Sequence, residues 1–319
     1  MAEPDYPRTM EEFQRRFATE EACRQYLVDL RWPEGFRCPG CSGTKAWLTR
    51  DARLHCAGCG RQTSATAGTI FHRTRKPLRM WFQVIWWLVA QKNGASALGL
   101  QRVLGLGSYE TAWSWLHKLR RAMVRPGRER LSGEVEVDES FVGGFEPGGG
   151  RRHIGKKALV GIAAEIRGKA IGRIRLACLP DGSAESLVGF VRQVVEPGST
   201  VVTDGFESYG TIGKYGYRHR PRVIRRSRKG AEKLLPHVHR VASLLKRWLL
   251  GTHHGRVERS HLPYYLDEFT FRFNRRTSRS RGLLFYRLMS QAAAMDPVPF
   301  QRLVGGAARP TTAGRGNLS

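Results

Sequence analysis

Two Cys-x-x-Cys pairs, Cys38-Pro-Gly-Cys41 and Cys56-Ala-Gly-Cys59, stand 14 residues apart. Each sits in a glycine-bearing turn that aims two thiolates at one point, and two such turns supply the four sulfurs of a tetrahedral zinc site. The Zn2+ expected there is structural: four thiolates leave no position open for water, and so short a segment cannot build much apolar core without the ion. The pairs predict an N-terminal segment with a zinc ribbon over residues 1–70. Cys23 and Cys178 are isolated and read as small buried residues. Thiols rather than disulfides, and an opening MAEPDYPRTMEEF with no apolar signal core, suit a cytoplasmic, nucleoid-associated protein.

The charge balance narrows the partner. Lys and Arg number 54 against 27 Asp and Glu, a formal net charge of +27. The excess is spread along the chain, which favours a polyanion such as DNA over an anionic membrane surface. The longest apolar run, MWFQVIWWLVA at 80–90, is too short to cross a bilayer and reads as a buried helix with Pro77 near its start. No membrane partner is expected.

Helical patterning covers residues 77–91, then 94–123 as two helices broken by GLGS at 105–108. Ser108 suits the cap of the second, which carries Trp113, Trp115, Leu116 and Leu119 on an apolar side and His117, Lys118, Arg120 and Arg121 toward its end. A helix-turn-helix over 71–124, with those basic residues contacting DNA, is one reading; a helical hairpin with a solvated basic end is the other. The polar stretch 125–133 reads as a linker.

Beyond it the pattern is strand-rich: EVEVDESFVG from 134, ALVGIAAEI at 158–166 and AIGRIRLACL at 170–179. A helix near 183–195, capped by Ser183, and a buried-looking strand TVVTD at 200–204 follow. Three strands, a helix, then a strand ending in Asp is the order of a ribonuclease H-like α/β domain, placed here over 134–290. Residues 218–229 hold seven Arg or Lys, Arg225, Arg226 and Arg228 among them. They form either a solvated strand or a track for DNA phosphates, without the Asn or Gln interleaving of base readout. The segment 291–319 reads as a C-terminal tail, partly disordered.

Metal-assisted chemistry on a phosphodiester needs hard oxygen ligands converging from separate strands. Asp138 and Asp204 fit, since each ends an apolar strand in basic surroundings. Glu139 follows Asp138 on the same strand, so its side chain faces the other way. Glu232, Glu258 and Glu268 are further candidates for a third ligand.

DExxxGG after a strand, TDGxxxY, SLLKRWLLGTHHG and YLDEFTFRFNRR together resemble bacterial insertion-sequence transposases of the zinc-ribbon, ISXO-like group, within the DDE superfamily. The likeness runs from about residue 26 to 276. In that group the third acidic position lies seven residues before a lysine on one helix. Counting back from Lys246 gives His239, 35 residues after Asp204. The resemblance thus implies an Asp138-Asp204-His239 site for Mg2+ or Mn2+, with Lys246 meeting a phosphate near the cut. It also implies DNA contacts by Arg272, Arg275 and Arg276, a homo-oligomer on DNA, and cleavage and joining of element ends by two-metal phosphoryl transfer. Histidine where a carboxylate often stands leaves a second reading, a catalytically inactive zinc-ribbon and helix-turn-helix regulator.

Overall fold

The computed structural model describes residues 4–125, 127–143, 157–223, 234–254 and 257–305. The chain divides into two compact units: Met1–Arg125 with Ser278–Ala307, and a second that includes Pro126–Thr277.

The first unit opens with α1 (Met10–Arg16) and α2 (Glu20–Arg31), whose caps Thr9 and Thr19 accept from Glu12 N and Ala22 N. A three-stranded antiparallel ribbon follows: β1 (Ala46–Leu48), β2 (Arg53–Cys56) and β3 (Gln62–Ser64). Three helices come next: α3 (Leu78–Ala90), α4 (Ala97–Leu104) and α5 (Tyr109–Ala122). The four residues between α4 and α5 behave as their types dictate. Gly105 takes the left-handed conformation at φ 61° and Ser108 accepts from Thr111 N. Pro77 offers no side-chain cap to α3; the Glu20 carboxylate accepts instead from Leu78 N and Arg79 N at 2.9 and 2.8 Å.

The second unit is a mixed sheet with helices on both faces. Its strands are β4 (Glu134–Val142), β5 (Ala158–Arg167), β6 (Ala170–Leu179), β7 (Thr200–Thr203) and β8 (Arg218–Pro221), in the order β6-β5-β4-β7-β8. The β4–β5 and β5–β6 pairs are antiparallel, and β4–β7 and β7–β8 are parallel. Helix α6 (Ala184–Val194) covers one face, packing Leu187, Phe190 and Val191 with Val135, Val137 and Val201. Helices α7 (Pro236–His253) and α8 (Leu262–Asn274) cover the other, packing Val238, Val241, Leu245 and Phe269 with Val160, Ile162 and Val202. Adjacent strand residues serve opposite cores, so Val201 and Val202 separate cleanly.

Two boundaries differ from the sequence expectation. The stretch 125–133 starts at the border between units, but its end is built into the second: Leu131 is fully buried, and its N–H donates to Val194 O at 2.8 Å. Helix α9 (Arg281–Ala294), which the expected catalytic segment included, belongs to the first unit, as does α10 (Phe300–Val304). The reason is aromatic: buried Phe285 of α9 meets Phe13, Phe17 and Phe82 at centroid distances of 5.5, 5.6 and 5.8 Å. A Cβ on Gly282 would strike the Pro7 carbonyl oxygen, so the chain passes directly over the start of α9. Among the described residues, no helix is long and apolar enough to cross a membrane.

Candidate metal centres and basic surfaces

The ribbon brings the four cysteines together as the spacing predicts. Cys38 Sγ lies 3.6 Å from Cys59 Sγ and Cys41 Sγ 3.6 Å from Cys56 Sγ, and all four sulfurs fall within 4.8 Å of one another. Zn–S bonds of about 2.3 Å would set the edges of a sulfur tetrahedron at about 3.8 Å, so the donor set fits zinc. Backbone N–H groups of Cys41 and Gly40 pull the Cys38 thiol down to about 6, toward the thiolate that a metal needs. Cys23 is fully buried outside this set, and burial pushes its thiol up to about 12.

The acidic residues assemble on β4 and its neighbours. Glu134, Val135 and Glu136 pair with Thr200, Val201 and Val202, a constant offset of 66. Asp204 follows directly on Thr203, the last residue of β7, and its charge acts on Asp138. Residues 136 and 138 project from one face of β4, and Val202, paired with Glu136, shows that this face belongs to α7. Helix α7 presents His239 there: its Nε2 lies 3.7 Å from Asp138 Oδ2. Gly205, at φ 84°, turns the chain immediately after Asp204, whose Oδ1 accepts from Phe206 N at 2.9 Å. Exposed Lys246 stands two turns beyond His239 on α7. Asp138 on β4 and His239 on α7 are neighbours, with Asp204 just past the end of β7; among the described residues, only the four cysteines form a metal-binding set with all donor atoms within 4.8 Å.

Two glutamates that flank Asp138 are fixed in different directions. Glu136 is fully buried; its Oε2 accepts from His237 N at 2.8 Å and Val238 N at 3.0 Å, and its Oε1 accepts from His237 Nδ1 at 2.8 Å. On the opposite face, Glu139 Oε2 accepts from the hydroxyl of buried Tyr209 at 2.8 Å, which links the DExxxGG and TDGxxxY motifs. Burial, reinforced by the charges of Asp204 and Glu136 and opposed by the Glu139 N–H, pushes Asp138 up to about 6. Burial also lifts Glu139 to about 7 against the Tyr209 bond. The buried Asp138 carboxylate, raised by burial and by its acidic neighbours and lying beside the His239 imidazole, is a donor whose charge a divalent cation such as Mn2+ or Mg2+ would relieve. Sequence reasoning missed Glu136 and His237. The available signal was a helix opening on Leu235-Pro236 with no side-chain cap, whose first amides need an acceptor from elsewhere.

Several expected DNA contacts prove to be engaged in the fold. His117 and Arg120 are 0% and 2% exposed, and Arg120 Nη1 donates to His117 Nε2 at 3.3 Å. They lie one turn from Trp113 and Leu116, so burying that side of α5 takes them with it; the His117 and Trp113 rings are 4.1 Å apart. Half-buried Lys118 is pulled below the ordinary lysine value by burial, and Arg121 is half-buried too. Arg272 ion-pairs with the fully buried Glu268, Nη2 to Oε1 at 2.8 Å. Arg275 stacks over Phe271, while Arg276 stacks over Phe273 and donates to Ile171 O and Gly172 O. Their companion Asn274 accepts from Ile174 N and donates to Ile174 O, so FRFNRR fastens α8 to the edge strand β6. Exposed Glu258 pairs with His261. Arg225, Arg226, Arg228 and Glu232 lie outside the described residues.

The comparisons with known proteins agree with this layout. The ISXO2-like transposase domain matches residues 130–274, and the transposase zinc-ribbon domain matches residues 18–62. A protein in transposable element ISH50 of Halobacterium salinarum is 26% identical over 282 residues, covering 81% of this chain and 92% of its own length. Both transposase domains stand here in order, with the four cysteines gathered at the ribbon and Asp138 on the central strand of the sheet. The chain belongs to the zinc-ribbon, ISXO2-like insertion-sequence transposases.

Proposed function

We propose that this chain cuts the DNA strand at each end of its insertion sequence and joins the freed 3′-hydroxyls to target DNA, acting through a ribonuclease H-like catalytic domain. The observation that carries the reading is Asp138 on β4 with His239 Nε2 3.7 Å away and the charge of Asp204, just past the end of the parallel neighbour β7, acting on it. The sheet order, three antiparallel strands followed by two parallel ones on the far side of β4, supports the fold assignment.

Asp138, Asp204 and His239 would hold the divalent ions, Mg2+ or Mn2+. Bound there, the ions supply positive charge that stabilises phosphoryl transfer and lowers the pKa of an attacking water. Asp138 and Asp204 contribute hard oxygens from two strands, and His239 contributes a neutral imidazole from α7. Lys246 meets a DNA phosphate beside the cut. In the first step water oxygen bonds to phosphorus and the 3′-oxygen leaves as a hydroxyl; in the second that hydroxyl attacks a target phosphodiester, displacing the target's own 3′-oxygen. The zinc ribbon and a helix-turn-helix formed by α4 and α5 recognise the element ends, with two copies of the chain holding a pair of ends. Arg225, Arg226 and Arg228 track the DNA backbone.

A regulator that binds element ends without cutting is the second reading, favoured by histidine at 239. Incubating the full chain with a labelled duplex of the element's end, in Mg2+ and in Mn2+, separates the two. Strand nicking at the terminus supports the transposase; metal-independent binding with no nick in either ion supports the regulator.

A further inference from the structure

We infer that Glu136 is a positioning residue, a clamp from strand β4 onto the first turn of α7 that holds His239 against Asp138. The inference rests on the reading of Asp138, Asp204 and His239 as a divalent-ion site.

A helix begins with amides that lack intrahelical partners, and a Ser, Thr, Asp or Asn just before it normally accepts from them. Helix α7 has Leu235 at that place, buried in the core and making no side-chain cap bond, then Pro236 in the first turn. The missing acceptor comes from 101 and 102 residues earlier in the chain. Glu136 receives His237 N and Val238 N on Oε2 and His237 Nδ1 on Oε1. Burying a carboxylate costs several kcal/mol unless its partners are well placed, so a distant acid is an expensive substitute for a local serine. What it adds is register between two elements. Glu136 and Asp138 project from the same face of β4, about 6.6 Å apart along the strand. His237 and His239 are two residues apart on α7, about 3 Å along the axis. Fixing the first pair sets the second: with Glu136 locked to residues 237 and 238, His239 arrives 3.7 Å from Asp138. A serine at 235 would cap the helix equally well but would leave its register on the sheet to apolar packing alone. Outer groups that orient metal ligands typically change metal affinity by about 10–100-fold when lost.

The test measures Mn2+ binding to the full-length protein from the electron paramagnetic resonance signal of free Mn2+, with thermal unfolding and zinc content checked for every variant. Glu136→Ala should weaken Mn2+ binding about tenfold or more. Glu136→Gln retains an oxygen for the two amides, so it should be folded and weakened less. The decisive arm is a cycle with His239→Ala: if Glu136 acts through His239, adding Glu136→Gln to His239→Ala should cause no further loss. Native Mn2+ affinity in both folded Glu136 variants, or a full additional loss in the His239→Ala background, overturns the inference while leaving the site standing. If Asp138→Asn binds Mn2+ as the native chain does, the site reading fails and the inference with it.

Discussion

His239 Nε2 and Asp138 Oδ2 lie 3.7 Å apart, one on a helix and the other on the central strand of the sheet, 101 residues from each other in sequence. Around this pair the acids are crowded and raised by burial, while the rest of the chain is strongly basic.

Asp138 provides a linkage test. Its carboxyl is pushed up to about 6 in the folded chain from an ordinary 3.8, so between those values the folded state binds more protons than the unfolded one. Stability from this group is therefore full at low pH, declines as pH rises from about 4 to about 6, and is level above that. Asp138→Asn carries no such proton. In metal-free buffer it should gain stability relative to the native chain across this window, by on the order of 3 kcal/mol. Denaturant midpoints at pH 4, 5, 6 and 7 measure the difference, and parallel curves would contradict it. Added Mn2+ should reverse the ranking above pH 6.

Zinc removal should act on the first unit alone. Cys56→Ser with Cys59→Ser leaves two thiolates, too few for the tetrahedral site. Atomic absorption should show the zinc lost, and binding to element ends should fall at least about tenfold, a loss of roughly 1.4 kcal/mol. Full zinc with undiminished DNA binding would contradict the structural role.

Glu268 separates fold from chemistry. Glu268→Ala leaves the half-buried Arg272 guanidinium without its i,i+4 partner, a change that costs up to about 3 kcal/mol, the low end for a broken buried pair. The melting temperature should drop, with Mn2+ affinity in the surviving folded protein within about twofold of native. Native stability combined with lost metal binding would move Glu268 into the site.

Arg225→Ala with Arg226→Ala should weaken binding to element ends and to unrelated duplex alike. The slope of log affinity against log salt should flatten by up to about one unit for each lost phosphate contact. A loss confined to element ends would instead indicate base readout.

Much of this architecture is legible because local chemistry dictates it. The CxxC turns, the Gly105–Ser108 break and the Ser183 cap each determine their own backbone, and Asp204 does follow the end of an apolar strand, whereas Asp138, expected at a strand end, stands in the middle of β4, which runs on to Val142. What is not legible depends on distant partners. Helix α9 reads like any amphipathic helix, and only the Phe13 and Phe17 rings of the first unit explain where it packs. Residues 117 to 121 look like a solvated basic end because sequence shows charge but not which side of α5 is covered. FRFNRR likewise looks like a DNA contact until its Arg and Asn side chains are seen on β6 and on their own helix. Glu136 looks like the outward member of an alternating strand, and its role depends on a helix start more than 100 residues away.

The central claim is that Asp138, Asp204 and His239 together make the chain a metal-dependent DNA-cutting enzyme. Its most direct test is cleavage of a labelled element-end duplex in Mn2+, with DNA binding measured in parallel, for the native chain, Asp138→Asn, Asp204→Asn and His239→Ala. The account predicts nicking at the element terminus by the native chain, at least about a hundredfold less in each variant, and unchanged binding in all four. Cleavage by His239→Ala at the native rate, or no cleavage by the native chain on ends it binds, would contradict it.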